Sequence, residues 1–408
     1  MTSRERIMAA INHRTPDRVP MDLGGCAASG IDVSAYVRLK DCLGIPRGEP
    51  EVFDIYGMMA RVEPEIIQRL GVDVLLVPSL CPRFNVRIDR WKKWKLFDGT
   101  TVRVPADFQT TQDADGSLFL MVEGKAVGHM PKDGHFFSEI ANSTMGSLDS
   151  LVEPPDPDTV NFSGLTEEDL RFREKTARDL HESTDKALIV DLVDNIRWDT
   201  SIPNWLYAMA ADPERTAALH EKKGECLLAK VKQLAQAVGN RVSVFAIYQD
   251  YGTQRGELIG PDTFARLVVP PYRKLFKWIH QNTEWKILFH SCGSIYRLIP
   301  HMIEMGVDIL NPVQCNAEGM DPRRLKAEFG DRLVFWGAGV DTQTILPFGT
   351  PGEVRQQVQE RIAALAPGGG FVFAPTQDIQ PEVPAQNVLA MYQTARDHVA
   401  INRTEVRA

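Results

Sequence analysis

Short apolar segments alternate with helix-forming segments along most of the chain, and this alternation restricts the fold more than any other feature. Most of these segments are near-continuous in Val, Ile, Leu and Phe, which is typical of parallel strands buried on both faces. Eight of them within 408 residues favour an α/β fold of the (β/α)8 TIM barrel type over an open doubly wound sheet. The predicted strands are Arg18–Leu23, Asp73–Pro78, Ala187–Leu192, Val242–Tyr248, Lys286–His290, Asp308–Val313, Leu333–Gly337 and Phe371–Ala374.

Helix start signals lie between these strands. Thr350-Pro351-Gly352-Glu353 fits a capping box with proline at the first helical position, and Asp212-Pro213-Glu214 fits a helix start of the same kind. A short helical pattern begins at Met1-Thr2-Ser3, so a helical extension is expected before the first strand.

One segment departs from the alternation and predicts a β-rich insertion after the second barrel strand. Turn signals separate its strand-like runs at Asp98-Gly99, Asp115-Gly116 and Glu123-Gly124. An insertion at this place lies at the carboxyl-terminal face of the barrel, where active sites form. The predicted organisation is an N-terminal extension with the first two strands, the insertion, and the remainder of one barrel domain, at residues 1–83, 84–160 and 161–408.

Charge and composition limit the partners. Lys plus Arg number 46 and Asp plus Glu 54, so the net charge of −8 argues against nucleic acid or an anionic membrane as the main partner. The same balance favours an edge strand protected by lysine over an anion platform at Trp91-Lys92-Lys93-Trp94-Lys95. No run approaches the ~20 apolar residues of a membrane span. The N-terminus lacks a signal-peptide pattern and the six cysteines form no CxxC pair, so a cytoplasmic protein without a disulfide framework is expected.

His290 and Cys292 predict a metal site at the end of the fifth strand. Residues two apart in a strand face the same way, so both side chains can point to the barrel mouth. An imidazole and a thiolate there suit a catalytic zinc ion with an open position, although a buried cysteine beside a hydrogen-bonded histidine gives the same pattern. Cys315 after the sixth strand has the most suitable chemistry for a third ligand. Asp378 and Gln377 after the eighth strand are the alternatives.

Polar residues at other strand ends are candidates for catalysis or substrate binding. Tyr248 and Asp250 lie at the end of the fourth strand, where a carboxylate can act as a general base, hold a substrate hydroxyl or complete a metal shell. Gln249 between them, Asp22 at the end of the first strand and Asp341 after the seventh are predicted to contact substrate. Each of these carboxylates also suits a helix cap or a loop hydrogen bond.

Several familiar motifs are absent or misplaced. Gly368-Gly369-Gly370 precedes a strand instead of opening a helix, so it does not fit a phosphate-binding loop. The chain has neither GxxxxGK[ST] nor GxSxG, and a serine triad therefore has no support. Asp191, Asp194 and Asp199 near the end of the third strand either bind substrate or cap the next helix.

The chain resembles the uroporphyrinogen decarboxylase superfamily, on the branch shared with cobalamin-dependent methyltransferases. The resemblance covers most of the length outside the insertion. It is carried by Asp17-Arg18-Val19-Pro20, Asp250-Tyr251-Gly252-Thr253-Gln254, His290-Ser291-Cys292-Gly293 and Gly306-Val307-Asp308-Ile309-Leu310-Asn311-Pro312-Val313-Gln314. These motifs are specific for the superfamily and much less specific for the reaction.

The resemblance implies a TIM barrel in which a His-x-Cys pair and a later cysteine bind zinc. His290 and Cys292 match the first two ligands, whereas the place of the third holds Thr376-Gln377-Asp378. Porphyrinogen decarboxylases carry an Arg-rich segment after the first strand, and Met21-Asp22-Leu23-Gly24-Gly25-Cys26 contains no arginine. A substrate with many carboxylates needs several cations, so decarboxylation of that kind ranks lower.

The resulting hypothesis is a methyltransferase that moves a methyl group between a small methylated substrate, such as a methyl ether, and a corrinoid on a separate partner protein. Zinc and the corrinoid are the cofactors that the resemblance implies, and a homodimer is expected. The alternatives are a barrel that binds a tetrapyrrole or small ligand without turnover, and a decarboxylase. A lyase acting on a small carboxylic acid would need arginine at the mouth, for which Arg197 and Arg255 are the candidates.

Overall fold

A computed structural model describes residues 1–26, 28–140, 153–198 and 200–398. The helices in chain order are α1 (Ser3–Ile11), α2 (Val33–Cys42), α3 (Pro64–Leu70), α4 (Glu167–Ser183), α5 (Ile202–Ala211), α6 (Pro213–Val238), α7 (Pro261–Leu267), α8 (Val269–Asn282), α9 (Ile299–Met305), α10 (Pro322–Phe329), α11 (Ile345–Phe348), α12 (Pro351–Leu365) and α13 (Ala385–Asp397). The strands are β1 (Val52–Asp54), β2 (Met59–Ala60), β3 (Val74–Val77), β4 (Trp91–Lys95), β5 (Thr101–Pro105), β6 (Gln109–Gln112), β7 (Leu118–Val122), β8 (Lys125–Met130), β9 (Ser138–Glu139), β10 (Ala187–Leu192), β11 (Val244–Tyr248), β12 (Lys286–His290), β13 (Ile309–Asn311), β14 (Val334–Ala338) and β15 (Phe371–Ala374).

Seven parallel strands form the central sheet in the order β15-β14-β13-β12-β11-β10-β3. They coincide with the second to eighth predicted strands. The sheet curls so that the segment around Met21 lies between its two ends: Asp22 N–H donates to the Phe373 carbonyl and Asp73 N–H to the Met21 carbonyl, both over 2.8 Å. The α/β TIM barrel is therefore confirmed.

The first predicted strand, Arg18–Leu23, has isolated bridge residues at Arg18 and Met21 instead of a strand. Pro20 has no N–H to donate to a neighbouring strand. The Met21 N–H donates over 2.9 Å to the Asp73 side chain and not to a backbone carbonyl. The apolar run thus closes the barrel without forming a regular ladder.

The alternating sides of each barrel strand fill two separate cores. Along β11, Val244 and Ala246 belong to the cluster inside the barrel, whereas Phe245 and Ile247 pack against the surrounding helices. Burial on both faces explains why the strands are near-continuous in apolar residues. The capping boxes at Thr2 and Thr350 start α1 and α12 as their sequences indicate.

A buried ionic cluster holds the closing segment at the amino-terminal end of the barrel. The Asp73 side chain is fully buried and accepts hydrogen bonds from Arg6 Nη1 and Arg18 Nη1, each over 2.7 Å. Arg6 also pairs with Asp17. Both carboxylate oxygens of Asp73 are therefore satisfied by cations and by the Met21 N–H, as a buried charge requires.

The segment between β3 and β10 is rich in antiparallel strands. Strands β4 and β5 form a hairpin, and β6, β7, β8 and β9 form a second sheet. Within the described residues β4 pairs only with β5, and its Lys93 forms an exposed ion pair with Glu49, which fits the edge-strand interpretation. The boundaries of the insertion stay a prediction.

All six cysteines are free. Over the ranges that the structure describes, no helix combines the length and apolarity that crossing a bilayer requires.

Candidate metal centre

A cavity of about 610 Å³ opens at the carboxyl ends of the barrel strands. The loops after β10, β11, β12 and β15 form most of its lining, and its rim contains Arg83, directly before the predicted insertion, and Glu139 within it. Five of the sequence-predicted site residues line it together with Gln377: Tyr248, Gln249, Asp250, His290 and Cys292.

Three side chains converge at one side of this cavity. The Cys292 Sγ lies 3.3 Å from His290 Nε2, which lies 3.6 Å from Asp250 Oδ1. All three potential ligand atoms fall within 4.8 Å of one another, and no other group of three His, Cys, Asp or Glu does so in the part of the chain that the structure describes. We refer to Asp250, His290 and Cys292 as the metal-ligand group.

The backbones of two neighbouring loops set the spacing of this group. Tyr248 of β11 lies in register with His290 of β12, so the loops that follow begin side by side. The Cys292 N–H donates to Asp250 Oδ1 over 2.8 Å. A Cβ on Gly293, whose φ is +88°, would lie 2.5 Å from the Gly252 carbonyl carbon. Only glycine permits this close approach.

Asn311 orients the His290 ring. Its amide Nδ2 donates to the Trp336 carbonyl over 3.2 Å, so its Oδ1 faces His290 Nδ1 at 2.8 Å. The imidazole must then carry its proton on Nδ1, which leaves the Nε2 lone pair directed at the other two ligands. Such a contact behind a ligand histidine is usual in zinc sites.

The thiol of Cys292 is protonated when no cation is bound. Burial raises the pKa of Cys292 well above its usual range, and the Asp250 carboxylate raises it further. A bound divalent cation reverses this effect, because it stabilises the thiolate. The set of one sulfur, one nitrogen and one oxygen donor suits zinc with an open position.

Comparison of the sequence with known protein families gives a match over the region that contains the site. Residues 198–398 match the family model described as uroporphyrinogen decarboxylase (URO-D). Residues 198–398 therefore belong to the uroporphyrinogen decarboxylase superfamily. The match includes the whole metal-ligand group and leaves out the segment that contains β4 to β9.

A solved methyltransferase from Methanosarcina mazei has the same fold as this superfamily member. It is 14% identical, with a TM-score of 0.59 over 97% of this chain and 99% of that one. A hyperthermophilic β-glucosidase mutant is 10% identical, with a TM-score of 0.38 over 92% of this chain and 97% of its own. No curated protein matches the chain.

The structure does not bring the two preferred third ligands into the metal-ligand group. Cys315 packs against the outer core, and burial raises the pKa of its thiol to about 11. Asp378 lies in an adjoining pocket, where it accepts the Gly30 N–H over 2.7 Å. Asp250, predicted as a catalytic residue, occupies the third position. Gln377 contacts the group from the eighth strand by donating from Nε2 to the Cys292 Sγ over 2.6 Å.

Two predicted substrate contacts lie outside the cavity lining. Asp22 is fully buried and accepts from Trp336 Nε1 over 2.9 Å, while its backbone carbonyl accepts from Tyr392. Asp341 accepts the Gln343 N–H over 2.7 Å and thereby caps its own loop. Both carboxylates serve local structure in the arrangement observed.

The other acidic residues near the third strand have different surroundings. Asp191 lies 3.6 Å from Arg173 and is buried. Asp194 lines the cavity and pairs with Lys223 and Lys230 over 2.9 Å and 2.7 Å. Asp199 lies outside the described residues.

Asn311 and Arg83 are functional candidates that the sequence reasoning missed. Asn311 ends β13 in register with His290, so a polar residue at the end of a neighbouring strand was the available signal. Arg83 lies in the loop after β3, where no periodicity indicates which side chains face the barrel.

We expect Asn311→Ala to weaken zinc binding by about 10–100-fold, because the variant loses the contact that fixes the tautomer and orientation of His290. Competition with a chromogenic chelator measures the affinity. Asn311→Asp keeps the acceptor and serves as the matched control. Equal zinc affinity in Asn311→Ala and the unsubstituted chain would contradict the role of Asn311.

The buried carboxyl group of Asp378 makes the free energy of unfolding depend on pH. Burial raises the pKa of its carboxyl to about 7, whereas the unfolded group titrates near ~3.9. The folded chain therefore holds a proton that the unfolded chain releases, so this contribution to stability is lost as pH rises from about 4 to 7. Asp378→Asn should flatten this slope and stabilise the chain at pH 8 by about 1–3 kcal/mol.

Urea unfolding at pH 5 and pH 8 measures this effect. Asp331→Asn is the matched control, because its side chain is 79% exposed. A slope that persists in Asp378→Asn would assign the pH dependence to another group.

Proposed function

We propose that this chain is a methyltransferase that moves a methyl group between a small methylated substrate and a corrinoid carried by a partner protein. Zinc bound by His290, Cys292 and Asp250 assists the transfer. The single observation that carries the proposal is the convergence of these three ligand atoms in a cavity at the active-site end of the barrel. Membership in the superfamily and the likeness in fold to a methyltransferase agree with it.

Zinc supplies a Lewis acid that stabilises negative charge developing on a sulfur or an oxygen atom. The residues of the chain prepare the site for this chemistry. Asn311 keeps the proton of His290 on Nδ1, and the Gln377 amide donates to the Cys292 sulfur. The centre of the Tyr248 ring lies 5.4 Å from that of the His290 ring, so the two side chains pack together at the cavity.

Two roles for the Lewis acid follow from two kinds of substrate. With a thiol acceptor, a metal held by His290, Cys292 and Asp250 would lower the pKa of the thiol and so favour the nucleophilic thiolate. A methyl ether instead requires stabilisation of its leaving oxygen, because an alkoxide or phenoxide leaves poorly unaided. Asp250 and Tyr248 position the substrate in either case.

Decarboxylation of a small carboxylic acid is the second candidate function. The observation that favours it is the presence of Arg83 and Arg197 in the cavity lining, since arginine binds carboxylates. Arg255, the other candidate, is exposed and lies outside the lining.

The proposed function is tested with the chain purified without added metal or chelator. We expect about one zinc per chain and zinc-dependent conversion of cob(I)alamin to methylcobalamin with methyl ethers or methylamines, followed by absorbance. Chelator should abolish the reaction, and added zinc should restore it. Release of CO2 from a small acid without methylcobalamin would favour decarboxylation, and a barrel that binds ligands without either reaction would overturn both proposals.

A further inference from the structure

One wall of the cavity carries a hydrogen-bond donor that no described residue satisfies. Gln249 lines the cavity and is only 7% exposed, yet its amide Nε2 has no hydrogen-bond partner among the residues that the structure describes. Behind this wall the hydroxyl of Tyr251 is fully buried and also lacks a partner within the described residues. Buried donors of this kind are rare in folded proteins, and they indicate a place where a ligand or water completes the hydrogen bonding.

Tyr272 fixes the orientation of the Gln249 amide. The Tyr272 hydroxyl donates to Gln249 Oε1 over 2.8 Å. Because Oε1 is committed as an acceptor there, the two N–H groups of Nε2 are presented away from Tyr272. The wall of the cavity thus offers an oriented donor and not a freely rotating amide.

Arginine side chains add positive charge to the same cavity. Arg197 follows β10 and lines the cavity. Burial raises the pKa of Tyr251, and the positive charge of Arg197 acts in the opposite direction. Arg83 lies at the rim. Its guanidinium carbon is 4.9 Å from the centre of the Tyr56 ring, and its Nη1 is 3.9 Å from Oε1 of Glu139. A planar guanidinium beside an amide donor is suited to a carboxylate, because both can donate to its two oxygens.

Two tryptophans add apolar surface to the cavity. Trp198 and Trp205 line the cavity, and both are more than nine-tenths buried. A cavity of about 610 Å³ lies within the range of small-molecule sites and accepts a ligand of one aromatic ring with two substituents. The metal-ligand group lies in the same cavity, and Asp250 follows Gln249 directly in the chain.

We propose that the substrate is a methylated carboxylic acid with a flat body, whose carboxylate is bound by Arg197 and Gln249 and whose ring lies against Trp198 and Trp205. The methylated end then faces the metal-ligand group. The assignment of the methylated end rests on the proposed function, whereas the carboxylate site does not.

Isothermal titration calorimetry on the full-length chain, with zinc removed, tests the carboxylate site directly. The probes are 4-methoxybenzoate and its neutral counterpart of the same shape, 4-methoxybenzamide. We expect the acid to bind about 10–100-fold more tightly than the amide, as charge-assisted hydrogen bonds predict. Equal binding of the two probes, or binding of neither, overturns the proposal.

Matched variants assign the discrimination to residues. Arg197→Gln and Gln249→Leu should each weaken binding of the acid at least about tenfold while changing binding of the amide little. Arg255→Gln removes an exposed arginine outside the cavity and should leave both affinities unchanged. Thermal denaturation verifies that each variant is folded. An equal loss of acid binding in Arg255→Gln and Arg197→Gln overturns the assignment.

The outcome is separable from that of the proposed function. Binding without zinc or corrinoid depends only on the cavity wall, so a positive result stands even when no methyl transfer is found. Methyl transfer from neutral donors, with no preference for acids, would instead retain the proposed function and remove the carboxylate site.

Discussion

Cys292→Ala should leave the barrel folded and abolish stoichiometric zinc binding. The variant removes the sulfur from a group whose three ligand atoms fall within 4.8 Å of one another. With two ligands left, we expect zinc affinity to fall by at least about a hundredfold and methyl transfer by about a thousandfold, equivalent to ~4 kcal/mol of activation free energy. Metal analysis and the cobalamin absorbance assay measure the two effects.

Other variants of the same kind test the membership of the group. His290→Ala and Asp250→Ala should also lose zinc, whereas Cys315→Ala should retain it, because Cys315 lies outside the group. Gln377→Cys should tighten zinc binding, since the Gln377 amide already contacts the Cys292 sulfur. Loss of zinc in Cys315→Ala but not in Asp250→Ala would show that the ligand set is different.

Asp73→Asn should be the most destabilising conservative substitution at the amino-terminal end of the barrel. The Asp73 side chain is fully buried and binds Arg6 and Arg18. Asparagine keeps the shape but removes the negative charge between two guanidinium groups, which costs about 3–5 kcal/mol when a buried pair is broken. The shift of the urea unfolding midpoint measures the loss.

An exposed ion pair provides the comparison. Asp179 pairs with Lys175 one helical turn away, and the two side chains are 51% and 70% exposed. Asp179→Asn should change the free energy of unfolding by less than about 0.5 kcal/mol. Similar effects of the two substitutions would mean that the buried cluster does not stabilise the closure of the barrel.

The barrel was predictable because its strands are buried on both faces. Seven predicted strands recur in the structure, since near-continuous apolar runs such as Val244–Tyr248 leave little alternative. The first run was predicted as a strand but forms only isolated bridges, because the Asp73 side chain accepts the Met21 N–H. This hydrogen bond joins residues that are 52 positions apart in the chain, so no local sequence pattern predicts it.

The site was predictable only in part. Strand ends indicated His290, Cys292 and Asp250, because parallel strands bring their carboxyl ends to one edge. The convergence of Asp250 with His290 and Cys292 was not predictable, since Cys315 has better zinc chemistry than Asp250 but lies on a loop that packs against the outer core. The role of Arg83 depends on how the segment after β3 folds back over the cavity, which sequence periodicity does not encode.

The contact between Gly252 and Gly293 holds the two ligand-bearing loops side by side, whereas the neighbouring side chains decide which ligand atoms the loops carry. The two loops touch through backbone atoms, and the Asp250 side chain adds one hydrogen bond between them. Exchange of the Cys292 side chain therefore leaves the loop spacing intact, whereas exchange of either glycine disturbs the whole group. Over evolutionary time, single substitutions in these two loops can exchange one ligand for another without changing the barrel. The same fold can therefore acquire new chemistry in small steps.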